Sequence, residues 1–141
     1  MKKSSEQELI TLGREYTTAI ERYFLGMYGL INQTQDLGVL DEIEEQTNLQ
    51  QERVTNDSRN IREVLPSLDL TKCDEGKKII LMGIRAFERD DYVSDLIKIA
   101  IRNRRERLQN PFSTKYSNQE QELEKIKMEM DRRLFGGRLI N

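Results

Sequence analysis

The chain has 141 residues, 36% hydrophobic and 34% charged, with a net charge of only −2. Leu, Ile, Val and Phe supply about 26% of positions, above the roughly 20% below which a highly charged chain stays disordered, so a length of this order suits one folded domain. With no histidine and a single cysteine, Cys73, the chain excludes Ser-His-Asp and Cys-His chemistry, the H-E-x-x-H zinc helix and multi-thiolate metal sites.

Helix 1 is expected from about Ser5 to Ile31. Leu9, Tyr16, Tyr23 and Leu30 recur every seven residues, with Leu12, Ala19 and Gly26 between them. Ile20, Phe24, Met27 and Ile31 widen the stripe to the breadth of a bundle helix. Ser5-x-x-Glu8 has the form of a capping box. Gly26 and Gly29 each cost roughly 1 kcal/mol against Ala in a helix interior, so they point to a close crossing or a bend. Residues 32–38 are polar and end in glycine, which predicts a loop.

Helix 2 is expected over about 39–65. Leu40, Thr47, Val54, Ile61 and Leu68 keep the seven-residue step, joined by Ile43 and Val64. Gln50 and Asp57 fall where apolar residues belong, which suits an incompletely buried helix better than a buried polar site. The acidic run 41–45 falls near the helix start, where carboxylates complement the dipole. Pro66 ends the helix.

Helix 3 is expected from near Thr71 to Leu108, with Ile79, Met82, Ala86, Val93, Leu96, Ile97 and Ala100 on one stripe. Ile80, Ile84 and Phe87 lie beside them and are expected in the core. Glu88-Arg89-Asp90-Asp91 interrupts the stripe: either the helix breaks there and Asp90 or Asp91 caps a second segment, or it is continuous or kinked near Asp90, which the single register of Ile79, Ala86, Val93 and Ala100 favours. Cys73, at its start, reads as a plain small residue, because the carboxylates of Asp74 and Glu75 oppose thiolate formation. Asn110-Pro111 stops the helix. Helix 4 is expected over 117–135, with a second capping-box pattern at Ser117-x-x-Glu120 and Leu123, Ile126, Met130 and Leu134 on its apolar side. Gly136-Gly137 ends it. No segment alternates in the manner of a strand. The fold class expected is all-α: one domain, a four-helix bundle over 1–141, mostly antiparallel because the connectors are short, with a C-terminal tail at 136–141.

Two segments are candidates for binding. The first is basic: Lys98, Arg102, Arg104, Arg105 and Arg107 stand against one acid in ten positions. Such a patch can meet phosphates, but cations at a helix C-terminus also complement its dipole. The second is the apolar tail, where Phe135, Leu139 and Ile140 surround two glycines and need a surface to cover them. A second basic cluster, Lys125 to Arg138, is diluted by Glu129 and its neighbours and reads as a salt-bridged face.

No phosphate loop or calcium loop is present in the sequence, and no cofactor is expected. The longest apolar-rich stretch, 24–31, is far short of the roughly 20 residues that cross a bilayer, and no signal-type apolar stretch follows Met1-Lys2-Lys3. The expectation is a cytoplasmic, non-catalytic interaction module, an adaptor, chaperone-like or regulatory bundle. It would bind a protein partner, or itself as a homodimer through helix 1 or helix 3. The alternative is a nucleic-acid-associated subunit using residues 98–107.

Overall fold

The computed structural model describes the backbone of residues 2–64 and 74–136, with side chains over 11–60 and 81–136 and at positions 8 and 63. Four α-helices follow one another: α1 (Lys2–Gln33), α2 (Leu37–Val64), α3 (Asp74–Gln109) and α4 (Ser117–Phe135). No strand occurs among the described residues, and the all-α class and four-helix order are as expected.

The helix entries differ from the sequence expectation. Ser5 lies inside α1, which already begins at Lys2, and its side chain is outside the described set. The α1–α2 connector shrinks to residues 34–36. Asp36 takes the capping role: its carboxylate accepts from Gly38 N–H at 2.8 Å and its carbonyl from Leu40 N–H at 3.4 Å. Helix 2 thus starts two residues early, and the acidic run 41–45 sits beyond its first turn. The predicted cap at Ser117 is not formed. Tyr116 occupies the N-cap position without a side-chain bond, and the Glu120 carboxylate is turned to Arg107. At the far end Gly136 adopts φ 58°, a left-handed residue whose N–H closes on Arg132 O at 2.7 Å. Only glycine takes that conformation without steric cost. The helix over 74–109 runs without a break through Asp90. Cys73 lies outside the described residues.

The polypeptide runs up, down, up, down, so helices adjacent in sequence are antiparallel. The most extensive packing nevertheless joins α1 to α3, which are parallel. Gly13 meets Met82, Glu21 meets Arg89 and the Thr34 carbonyl meets Arg104, in ascending order along both helices. The bundle is therefore collapsed along one diagonal. Helix α3 is the central element, α2 packs on its other side, and α4 closes the groove between the ends of α1 and α3.

The buried cluster fits this layout: Ile20, Phe24, Tyr28 and Ile31 of α1, Leu40 and Ile43 of α2, Val93, Leu96, Ile97, Ala100 and Ile101 of α3, and Leu123 and Met130 of α4. Each large side chain buried fully contributes about 1.5–3 kcal/mol relative to exposure. Phe24 and Tyr28 stack at 5.5 Å between centroids. Three core expectations need correction. Ile84 and Phe87 are only half-buried, because they line an open cleft against the polar end of α2, with Thr55, Ser58, Arg59 and Glu63; the Ile80 side chain lies outside the described set. Gly26 and Gly29 face open space, and the close approach is at Gly13 instead, where an added Cβ would stand 3.0 Å from Met82 Cε. Finally, Tyr16, Tyr23 and Leu30 of the seven-residue row of α1 are exposed rather than in the core, as described below; the Leu9 side chain lies outside the described set.

The polar run that interrupts the α3 stripe forms the middle layer of the bundle. Arg89 donates to the buried Glu21 carboxylate through Nη2 at 2.7 Å and Nε at 3.1 Å. Asp90, also buried, accepts from the Tyr16 hydroxyl at 3.0 Å and from Gln50 Nε2 at 3.5 Å. Asp91 and Asp95 both accept from Gln51 Nε2. Charge that interrupts the apolar stripe of α3 ties α1, α2 and α3 to one another.

Candidate functional site

The arginines of the basic segment are spent inside the molecule. Arg104 donates through Nε and Nη2 to the Thr34 carbonyl, at 3.1 and 2.9 Å, closing the C-terminal end of α1. Arg105 crosses to α2 and pairs with Glu44 at 2.8 Å and Asp41 at 2.6 Å. Arg107 makes a two-pronged pair with Glu120 of α4 at 3.0 and 2.9 Å and also donates to the Pro111 carbonyl at 3.1 Å. Arg102 donates to Gln119 at 2.6 Å, and its guanidinium lies 4.7 Å over the Tyr116 ring. Bonds to their acceptors raise Arg105 and Arg107 above the usual arginine range, Glu44 contributing most for the first and Glu120 for the second. Lys98 is half-buried on the same helix. The segment is thus a radial set of fasteners, one arginine each to α1 and α2 and two to α4 and its approach. Helical spacing gives the physical reason: 102, 104, 105 and 107 point in four directions, and every direction but solvent is occupied by another helix.

Beneath Arg104 and Arg107 lies a polar cleft of about 480 Å³ between α1, α3 and α4, lined among others by Tyr28, Asn32, Asn103 and Glu124. Tyr28 donates to Glu124 Oε2 at 2.9 Å, and burial together with that carboxylate pushes its hydroxyl up to about 12. Asn103 is 4% exposed, and neither its Nδ2 nor its Oδ1 has a hydrogen-bond partner. Both amide atoms are out of reach of solvent although the residue borders the cleft. Among the described residues no group of three His, Cys, Asp or Glu side chains is placed to hold a metal ion.

The largest departure from the sequence reading is on α1. Its heptad row was expected to face the core, yet Leu12, Tyr16, Tyr23 and Leu30 are 59, 41, 45 and 44% exposed. Ala19 and Gly26 of the same row are exposed as well. The core is made instead by the neighbouring row, Ile20, Phe24, Tyr28 and Ile31. The apolar arc of α1 is wider than one contact requires, and α3 takes the half that lets Phe24 and Ile31 vanish completely. The other half forms one wall of a cleft of about 360 Å³, lined by Tyr16, Ala19, Tyr23, Gln46 and Gln50 and floored by α3. Period seven marked both rows in the sequence; nothing in it said which would be covered.

The tail expectation is only partly within the described structure. Leu134 is half-buried in a cleft with Gly13, Met82 and Glu21. Phe135, at the end of α4, is 37% exposed, while Leu139 and Ile140 lie outside the described residues. Sequence reasoning also passed over Phe112, which stands almost wholly exposed in the α3–α4 connector. No described helix is long and apolar enough to cross a membrane. No known family model, curated protein or solved structure matches the chain.

Proposed function

We propose that this chain is a non-catalytic protein-interaction module, and that its docking surface is the outward heptad row of α1. The observation that carries the reading is the exposure of four large apolar side chains, Leu12, Tyr16, Tyr23 and Leu30, at coiled-coil spacing on one helix. Scattered single apolar residues on a surface need no explanation, whereas a contiguous row is a feature of partner sites. A helix that already has one packed face and offers a second at heptad spacing is built to accept another helix. The alternative, contact with nucleic acid through residues 98–107, is disfavoured by the internal acceptors that hold Arg102, Arg104, Arg105 and Arg107.

The test is site-specific photocrosslinking in the native cell. A benzophenone side chain in place of Tyr23 should give discrete protein adducts that a benzophenone at Lys125, on the charged outer face of α4, does not. Absence of adducts at position 23 would refute the surface. Fluorescence anisotropy with labelled duplex DNA and single-stranded RNA should show no binding at physiological salt; tight binding lost on changing Arg102 and Arg105 to Ala would instead favour the nucleic-acid reading.

A further inference from the structure

We infer that the partner of the α1 row is a second copy of this chain, bound antiparallel about a two-fold axis that passes α1 between Thr17 and Thr18. The inference rests on the docking-surface reading above and adds to it the occupant, its direction and its register.

The argument begins with the residues that flank the row. In heptad terms Tyr16, Tyr23 and Leu30 take one seam position, and Leu12, Ala19 and Gly26 the other. Flanking the row on the side away from the core are Glu8, Glu15 and Arg22, all exposed. These positions set partner choice in coiled coils through their charges. On the opposite flank stand Gly13, Ile20 and Met27, the last two turned to the molecule's own core. Only the Glu15/Arg22 flank can therefore carry an ionic code.

A parallel partner would bring Glu15 and Arg22 against the Ile20 and Met27 flank of the other copy, where no charge meets them. An antiparallel partner brings this flank against itself. With the axis between positions 17 and 18, Glu15 faces Arg22 of the second copy, and two-fold symmetry repeats the pair. Sliding the partner by one heptad puts Glu15 opposite Glu15 or Arg22 opposite Arg22, although the first of these slides also sets Glu8 against Arg22. Like charges thus disfavour both neighbours at the axis, and against the first the seam decides as well, because Tyr23 no longer meets Leu12.

The seam side chains fit the same register. Tyr16 falls opposite Ala19 of the other copy, and Leu12 opposite Tyr23, so a large ring meets a small residue at the centre and a leucine at the flanks. The Tyr16 ring is already anchored, because its hydroxyl is bonded to Asp90. Gly26 leaves open space beyond it, which gives the partner helix room at the end of the seam. The cleft between α1 and α2 lies alongside, so the second helix would also rest against Gln46 and Gln50.

The experiment is sedimentation equilibrium of the full chain, with far-UV circular dichroism to confirm that each variant keeps its helix content. The wild type should show a reversible dimer of twice 16.6 kDa with a micromolar Kd. Glu15→Arg alone and Arg22→Glu alone should each weaken dimerisation about tenfold, since each places two like-charged pairs at the interface. An equimolar mixture of the two variants should recover wild-type affinity, because every facing pair is again opposite in sign. Leu12→Glu combined with Tyr23→Glu should leave a monomer with unchanged helix content. A dimer indifferent to the two charge variants, or one that the mixture does not restore, overturns the antiparallel register while leaving the α1 surface in place. A dimer that survives the Leu12→Glu/Tyr23→Glu change overturns the surface as well. A wild type that stays monomeric at high micromolar concentration overturns the second copy as occupant; photocrosslinked adducts to other proteins at position 23 would then still support the docking surface.

Discussion

The pair between Glu21 and Arg89 should show a marked asymmetry when its members are removed one at a time. The Glu21 side chain is 4% exposed and Arg89 is 25% exposed. Arg133 reaches the same carboxylate oxygen at 3.3 Å but is itself 58% exposed, so it offers a well-hydrated and weaker partner. Replacing Arg89 by Leu leaves a buried carboxylate with that partner alone. Stripping one member from a buried pair costs about 3–5 kcal/mol, and the residual contact to Arg133 puts the expected loss near the lower figure, about 3 kcal/mol. Replacing Glu21 by Leu is milder. Arg89 lies 5.1 Å over the Tyr92 ring at the bundle edge and can turn its guanidinium to water, so the loss should be about 1 kcal/mol. The double variant should return to within about 1 kcal/mol of wild type, since apolar replacement of a buried pair is close to neutral. Urea unfolding followed by far-UV circular dichroism gives all three values, and their combination gives a coupling of about 3–4 kcal/mol. Two equal single-variant losses that add in the double variant would refute the argument, because they would mean that the carboxylate is hydrated in the folded protein.

Four further outcomes are expected. Phe24→Ala should cost about 3–5 kcal/mol, whereas Phe87→Ala, half-buried, should cost about 1–2 kcal/mol; equal shifts in melting temperature would contradict the layout of the core. The Tyr28 hydroxyl is raised from 10.0 to about 12, so the fold favours its neutral form: this contribution is complete below pH 10 and is lost as pH rises toward 12. Tyr28→Phe should accordingly remove about 2–3 kcal/mol of that alkaline decline, read from urea midpoints across the window. Asn103→Leu should be neutral or stabilising by about 1–2 kcal/mol, since it removes two unpaired buried polar atoms without disturbing a partner; a large loss of stability would show that the amide is engaged. Gly136→Ala should cost about 1 kcal/mol through its left-handed backbone, a small drop in melting temperature with no change elsewhere.

Much of the fold was legible because helix periodicity and helix punctuation are local signals. Leu40, Ile43, Thr47 and Val54 were read on the buried side of α2, and Val93, Leu96, Ile97 and Ala100 on that of α3, and all are buried. Leu123 and Met130 of α4 follow suit. What stayed hidden depends on which helix meets which. A seven-residue step on α1 is satisfied by two adjacent rows, and the choice between them is made by α3, some 70 residues away in the chain. The same holds for charge. Arg104 and Arg105 looked like a cationic patch because their acceptors, the Thr34 carbonyl, Asp41 and Glu44, belong to other helices. Asp90 stood as an unexplained interruption of the apolar stripe because Tyr16 could not be seen opposite it. The capping box at Ser117 failed for a related reason: at Glu120 a guanidinium from α3 competes with the backbone for the carboxylate, and the guanidinium wins.

The diagonal pairing of α1 with α3 also has a consequence for the way the chain is made. Its polar and ionic contacts join residues 68, 70 and 74 apart in sequence, a long reach for a helical protein, whose fast folding ordinarily rests on local contacts. During synthesis α1 and α2 emerge first, and the two scarcely touch each other. The apolar side of α1 that will later hold Phe24 and Ile31 finds no cover until α3 has been translated through Arg104. For that interval the nascent chain is an amphipathic hairpin with both faces of its first helix open. Ribosome-stalled chains that have emerged only to about position 75 should therefore bind hydrophobic dyes and chaperones, while chains that have emerged past 110 should release them.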